Sequence, residues 1–88
     1  MAELKTYVLF RYKKSNRAID TVLEGLGKAM LKMWALTNTT SSKESLIIEK
    51  DTGQVVYLVS GKRGSPPEVK EKDLGTMKDY NLSIIEDH

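Results

Sequence analysis

Basic side chains are the residues of this sequence best suited to binding chemistry. Lys13, Lys14 and Arg17 form one short cluster, and Lys62 with Arg63 forms a second. Clustered cations bind phosphates and other anions, and they are typical of nucleic-acid-binding surfaces. One hypothesis is therefore a nucleic-acid-binding accessory protein that uses these five residues.

The overall charge is more modest than these clusters suggest. The 88 residues carry 14 Lys and Arg against 12 Asp and Glu, a formal net charge of +2. Residues 1–64 hold 11 basic and 6 acidic side chains, whereas residues 65–88 hold 3 and 6. A basic body with an acidic tail permits nucleic acid or an acidic partner, but dedicated nucleic-acid domains usually show a denser basic stripe.

Residues for catalysis and metal binding are sparse. Cysteine is absent, and the one histidine, His88, is the last residue. The sequence has no acid–base signature and no zinc or calcium ligand spacing. Neighbouring carboxylates such as Glu68 with Glu71, or Glu86 with Asp87, are typical of a solvated surface. We therefore predict a protein that is not an enzyme and that needs no metal or cofactor.

The size and the apolar runs indicate where such a protein resides. A chain of 9.9 kDa is long enough for one core. No apolar run approaches the ~18 residues of a membrane span, and the first residues lack the pattern of a secretion signal. We expect one α+β domain over residues 1–88, in the cytoplasm and without a membrane partner.

Four segments show the alternation or composition of strands. Residues 4–13 are rich in β-branched and aromatic side chains and predict the first strand. Two apolar runs, 45–50 and 54–60, flank Asp51-Thr52-Gly53 and predict a hairpin. Residues 81–86 predict a short final strand.

Two segments indicate helices. From Ile19 to Trp34 apolar residues recur every three or four positions, which predicts a helix that begins at Ser15 or Asn16 and ends near Leu36. Residues 67–74 predict a second, short helix, because proline is well tolerated in a first helical turn.

The resulting order, β-α-β-β-α-β, resembles the ferredoxin-like split βαβ unit. The resemblance implies an antiparallel sheet with both helices on one face. It also implies that the two basic clusters lie at opposite ends of the sheet.

In this arrangement one sheet face remains uncovered. The more apolar face of the first strand, with Leu4, Thr6, Val8, Phe10 and Tyr12, is expected to face the core. The other face is expected to expose an apolar surface, and such surfaces mark interaction sites. The leading hypothesis is therefore an interaction or regulatory module that binds itself, as a homo-oligomer, or another protein. Its candidate contact residues are Tyr7, Leu9, Arg11, Ile47 and Tyr57.

Two known nucleic-acid modules share short features with the chain. Gly61-Lys62-Arg63-Gly64 is similar to the Gly-x-x-Gly loop of KH domains, which joins two helices and whose backbone clamps nucleic-acid phosphates. Here a predicted strand precedes the loop and prolines follow it, which departs from the KH pattern. In RRM domains, aromatic side chains on two strands stack on bases, but Gln54 and Val56 stand where aromatics are expected.

Overall fold

The computed structural model describes residues 5–84, which form a six-stranded sheet and one α-helix. The elements are β1 (Tyr7–Lys13), β2 (Ala18–Glu24), α1 (Lys28–Asn38), β3 (Lys43–Glu49), β4 (Val55–Lys62), β5 (Ser65–Lys70), a 3₁₀ turn (Met77–Tyr80) and β6 (Ser83–Ile84). Leu4, positions 85–86 of the predicted last strand, the pair Glu86 and Asp87, and His88 lie outside the described residues.

β1 lies inside the sheet, and its neighbours come from both halves of the chain. The strand order is β5-β4-β3-β1-β2-β6. All neighbouring strands are antiparallel except β6, which runs parallel to β2. After β2 the chain crosses β1 through α1 and returns on its other side as β3. β1 and β3 pair along their whole length, with Leu9 opposite Ile47.

Each face of the sheet carries its own apolar layer. On one face, α1 buries Leu31 and Ala35 against Leu9, Ile47 and Val59. On the other face, a second cluster is covered by the segment that follows β5, from which Leu74, Met77, Tyr80 and Leu82 contribute. The sheet residues of this second cluster are Val8, Tyr12, Leu46, Ile48 and Val55, with Phe10, Ile19 and Leu58 at its margin.

The ferredoxin-like prediction is wrong, because the predicted first helix is in fact a strand and a shorter helix. Residues Ala18–Glu24 form β2, which pairs with β1 as a hairpin, and the helix begins only at Lys28. Ile19, Thr21 and Val22 are β-branched and favour a strand. Gly25 has a φ of +90°, a conformation that ends the strand and that side chains rarely adopt. The five antiparallel strands and the helix follow one another in the order β-β-α-β-β-β, and the short parallel strand β6 comes after them.

The predicted second helix is also wrong, because residues Ser65–Lys70 form the edge strand β5. Pro66 and Pro67 have no N–H to donate, so a central strand would not tolerate them. At an edge the missing donors are harmless, and they make this edge a poor template for another strand.

The remaining strand predictions are confirmed within the described residues. β3 and β4 form the expected hairpin, with Leu46 opposite Leu58, and β1 covers most of the predicted first strand. β6 covers Ser83–Ile84 of the predicted last strand. No helix between residues 5 and 84 is long and apolar enough to cross a membrane.

Candidate functional site

Three loops meet at one end of the sheet, where they bring the two basic clusters together. β1 and β4 both run antiparallel to β3, so both strands end where β3 begins. We call residues 13–17, 39–43 and 61–65 the three-loop end. The expectation that the clusters lie at opposite ends is wrong. It assumed a helical crossover that makes the first strand parallel to β3, whereas β2 lies between them in the chain and β1 is antiparallel to β3.

Lys14 forms hydrogen bonds that link the three loops to one another. Its backbone N–H donates to the carbonyl of Ser42 at 3.0 Å, and its Nζ donates to the carbonyl of Gly61 at 2.7 Å. Gly61 is itself buried, and the loop before β3 lies directly against it. A Cβ added at Gly61 would lie 2.8 Å from the carbonyl oxygen of Thr39 and closer still to the carbonyl of Thr40. The relative position of the loops is therefore fixed by backbone contacts.

The turn between β1 and β2 holds Arg17 in a defined place. The Arg17 N–H donates to the carbonyl of Lys13 at 2.8 Å, and the Asn16 side-chain oxygen accepts from the N–H of Ala18 at 3.0 Å. Arg17 has a φ of +58°. Its Nη1 donates to the carbonyl of Tyr80 at 3.0 Å, so the guanidinium is anchored at the surface while it remains exposed.

The three-loop end is rich in cations and contains no carboxylate. Its segments read Lys-Lys-Ser-Asn-Arg, Thr-Thr-Ser-Ser-Lys and Gly-Lys-Arg-Gly-Ser. These fifteen residues include six cations, several hydroxyl groups, no carboxylate and no aromatic ring. The cations are Lys13, Lys14, Arg17, Lys43, Lys62 and Arg63. Cations and hydroxyls are the groups that most often contact phosphate oxygens, and aromatic rings are the groups that stack on bases.

Some of these cations are already paired with carboxylates on the strands. Asp20 binds both Lys43 and Arg11, the latter at 2.9 Å, and Glu68 binds Lys62 at 2.7 Å. The other four cations of the three-loop end form no ion pair with any carboxylate between residues 5 and 84. Three of them, Lys13, Lys14 and Arg17, are exposed on one turn, and the fourth, Arg63, is exposed on the β4–β5 turn.

The cations at this end lie close enough to influence each other. Partial burial lowers the pKa of Lys43, and the positive charges of Arg11 and Lys13 lower it further. Desolvation is the larger cause, and the two like charges add to it because they disfavour the protonated amine.

A further carboxylate beside the three-loop end, that of Glu44, is half-buried. Glu44 accepts hydrogen bonds from the hydroxyls of Tyr12 at 2.7 Å and Ser60 at 3.1 Å, which joins β1, β3 and β4. Burial, and then this hydrogen bond, raises the pKa of the Tyr12 phenol. These hydrogen bonds form a structural network across three strands.

The predicted protein-binding face is covered, because α1 lies on it. Leu9 and Ile47 are 0% exposed and pack against the helix. Tyr7 and Tyr57 are half-buried, with the Lys28 ammonium 5.7 and 5.8 Å from their ring centres. The five predicted contact residues therefore do lie together, but the expectation that they form an open surface is wrong.

Arg11, the fifth of these residues, connects the sheet to the end of α1. Its Nη1 donates to the carbonyl of Asn38 at 2.9 Å, its Nε binds Asp20, and its guanidinium lies 5.3 Å from the ring centre of Trp34. A cation at this position satisfies a helix C-terminal carbonyl and complements the helix dipole. The sequence indicated an exposed charge, and only the strand order shows what this charge contacts.

An open cleft of about 570 Å³ lies at the end of the sheet opposite the loops. Its floor includes Ile48, Met77 and Leu82, and its rim includes Lys50 and Lys78. Glu24 already binds Lys50. Among residues 5–84, no carboxylate and no histidine line this cleft.

Within residues 5–84 no three potential metal ligands lie close enough to hold an ion. Comparison of the chain with protein-family models, with curated proteins and with solved structures gives no match.

Proposed function

We propose that this protein is a non-enzymatic module that binds the phosphate backbone of nucleic acid through the three-loop end. The observation that carries the proposal is the convergence of six Lys and Arg residues from three loops that contain no carboxylate. The sequence suggested two separate clusters, and the strand order supports a single surface instead.

The chemistry of this surface suits phosphates in particular. Arginine can bind a phosphate with two parallel hydrogen bonds, and lysine supplies a mobile point charge. Ser15, Ser41 and Ser65 add exposed hydroxyl donors. Each cation that neutralises a phosphate releases a condensed counterion, which gives the binding its free energy and its dependence on salt.

Binding of this kind would discriminate little between base sequences of the nucleic acid. The fifteen residues contain no aromatic ring, so stacking on unpaired bases is limited to the guanidinium planes of Arg17 and Arg63. Because the cations lie on short turns rather than on a helix that fits the major groove, contacts with base edges are not favoured. We therefore expect binding that depends on phosphate density and hardly on base sequence.

The test is a titration of fluorescently labelled 20-base-pair duplexes of two unrelated sequences, followed by anisotropy. We expect Kd values of about 1–100 µM at physiological salt, similar for both duplexes. Tighter binding at low salt should give a slope of log K against log salt of about −3 to −4, as expected for about four phosphate contacts.

Matched charge reversals test whether binding depends on the three-loop end or only on the net charge of the protein. Lys13→Glu with Arg63→Glu changes two exposed cations of the surface, and Lys72→Glu with Lys78→Glu makes the same charge change on the segment after β5. The first pair should weaken binding at least tenfold and reduce the salt slope by about 2. The second pair should bind within about threefold of the unmodified protein. Absence of binding at low salt, or equal losses in both double variants, would contradict the proposal.

The proposal places the protein in the cytoplasm, where nucleic acid is accessible to it. That location follows from the sequence expectation above and can be checked by fractionation of cells that express the protein.

A further inference from the structure

The strand order separates the two basic hairpins of the three-loop end by a defined distance. The β1–β2 hairpin brings Lys13, Lys14 and Arg17 to this end, and the β4–β5 hairpin brings Lys62 and Arg63. Across the sheet the order is β5-β4-β3-β1-β2-β6, so β3 lies between the two hairpins. The midpoints of the hairpins are three strand spacings apart, which is about 14 Å at about 4.8 Å per strand.

The loop before β3 lies between the two hairpins, and its exposed side chains are uncharged. Residues 40–42 are exposed and carry hydroxyl groups, whereas Lys43 is half-buried and bound to Asp20. Only the Lys14 ammonium reaches across this loop, where it bonds to the Gly61 carbonyl at 2.7 Å. The surface therefore has two groups of exposed cations, and a strip of hydroxyl groups crossed by one ammonium lies between them.

We propose that the three-loop end binds double-stranded nucleic acid across one groove, with each hairpin turn on one of the two phosphate rows that flank the groove. This proposal rests on the proposed function and names the class of its ligand. The minor groove of B-DNA is about 6 Å wide, so turns about 14 Å apart reach the backbones on both of its sides. The hydroxyl-bearing loop then faces the groove, where no phosphate has to be neutralised.

A single strand fits this surface less well than a duplex does. Proteins that bind single strands combine a basic groove with aromatic rings on which successive bases stack. The fifteen residues of the three-loop end contain no aromatic ring, and their cations lie on separate turns. A single strand also carries half the charge of a duplex for the same length of helix axis. Both the missing rings and the lower charge density favour the duplex.

The loops are held in place before any ligand binds, and this favours a rigid ligand. The Lys14 N–H donates to the Ser42 carbonyl at 3.0 Å, and the Arg17 N–H donates to the Lys13 carbonyl at 2.8 Å. Because these backbone bonds fix the turns, the two groups of cations keep their separation. A duplex presents its phosphates at a fixed spacing, whereas a flexible strand must lose conformational freedom to match two fixed turns.

The test compares one fluorescently labelled strand, alone and annealed to its complement, by anisotropy. The strand has about 20 nucleotides and contains only C and T, so it does not pair with itself. We expect the duplex to bind at least about tenfold more tightly than the single strand at the same salt concentration. The slope of log K against log salt should be about −3 to −4 for the duplex and about −2 for the single strand, which neutralises the cations of one turn only.

A variant of one turn tests whether both turns contact the duplex. Arg63→Gln removes the exposed cation of the β4–β5 turn, so it should weaken duplex binding about fivefold and reduce the salt slope by about 1. It should weaken single-strand binding less than about twofold, because the β1–β2 turn holds three cations of its own. Lys72→Gln is the matched control on the segment after β5 and should leave both affinities within about twofold. Circular dichroism checks that each variant is folded.

The possible outcomes separate this proposal from the proposed function. If the single strand binds as tightly as the duplex, or if Arg63→Gln weakens both equally, the arrangement across a groove is overturned and the proposed function stands. If neither form binds at low salt, the proposed function is refuted and this proposal with it.

Discussion

Gly61 offers the sharpest test of the packing at the three-loop end. The change is Gly61→Ala, which adds one methyl group to a buried strand residue. The new Cβ would lie 2.8 Å from the Thr39 carbonyl oxygen, whereas an ordinary contact is at least 3.4 Å. The backbone of the loop before β3 must therefore move by more than 0.6 Å at Thr39, and by more at Thr40, which is closer.

The free energy of unfolding should decrease by about 3–5 kcal/mol. Overpacking of this kind costs about 1–3 kcal/mol. Displacement of the loop also strains the buried hydrogen bond between the hydroxyls of Thr39 and Ser45, 2.7 Å apart, whose loss costs about 1 kcal/mol. The contact from Lys14 Nζ to the Gly61 carbonyl, at 2.7 Å, would weaken by a similar amount.

Urea unfolding followed by the fluorescence of Trp34 measures this difference. With a denaturant slope of about 1–1.5 kcal/mol per molar for a chain of this size, the midpoint should drop by about 2–5 M. Gly27→Ala is the control, since no atom lies within 4 Å of the added Cβ at that position. Its cost should not exceed about 1 kcal/mol, the usual penalty for alanine at a helix N-cap. A Gly61→Ala midpoint within about 0.5 M of the unmodified protein would refute the inferred close approach of the loops.

Two further predictions concern the sheet. Leu9→Glu should unfold the protein rather than yield a folded monomer, because it puts a carboxylate into a fully buried site at a cost above about 4 kcal/mol. Circular dichroism measures this, and a folded variant would contradict the conclusion that α1 covers this face of the sheet. Tyr12→Phe should lower the free energy of unfolding by about 1–3 kcal/mol at neutral pH through loss of the bond to Glu44. Because folding raises the pKa of Tyr12 above its unfolded value of 10.0, the phenol's contribution is complete below pH 10 and is lost as the pH rises. The difference between the two proteins should therefore narrow above pH 10, by at most about 1.4 kcal/mol per pH unit, and a constant difference from pH 7 to 11 would contradict the burial of that hydroxyl.

The residue pattern of a segment was sufficient to predict its secondary structure where the pattern fitted only one kind of element. It was insufficient where the pattern fitted both a helix and a strand. The hairpin of β3 and β4 was predictable, because alternation and a turn sequence agreed there. In the region of β2, Ile19, Val22 and Leu23 fit a helical pattern, and a register shift opposite Arg11 and Tyr12 removes the strict alternation of a strand, so periodicity favoured the wrong element. Pro66 and Pro67 suit a first helical turn and also an edge strand, and only the neighbouring β4 distinguishes these possibilities.

The wrong assignment of the sheet faces has a related cause. Both sides of β1 are apolar, with Val8 and Tyr12 on one and Leu9 on the other. Which side the helix covers depends on the crossover from β2 to β3, and this is a property of the topology rather than of any local segment. The cations of the three-loop end were identifiable as residues, but their convergence depends on the strand order.

The position of β1 between β2 and β3 has a consequence for how the chain folds. β1–β2 and β3–β4–β5 are joined by short turns, so each can form from neighbouring residues in microseconds. The ladder between them pairs Lys13 with Lys43 and Tyr7 with Glu49, residues 30 and 42 positions apart. Closing this β1–β3 ladder joins the two halves of the sheet across the α1 crossover, so we expect it to set the folding rate. Until it closes, the strands with the most apolar residues present unpaired edges, and misfolding should begin at the middle of the native sheet rather than at its rims.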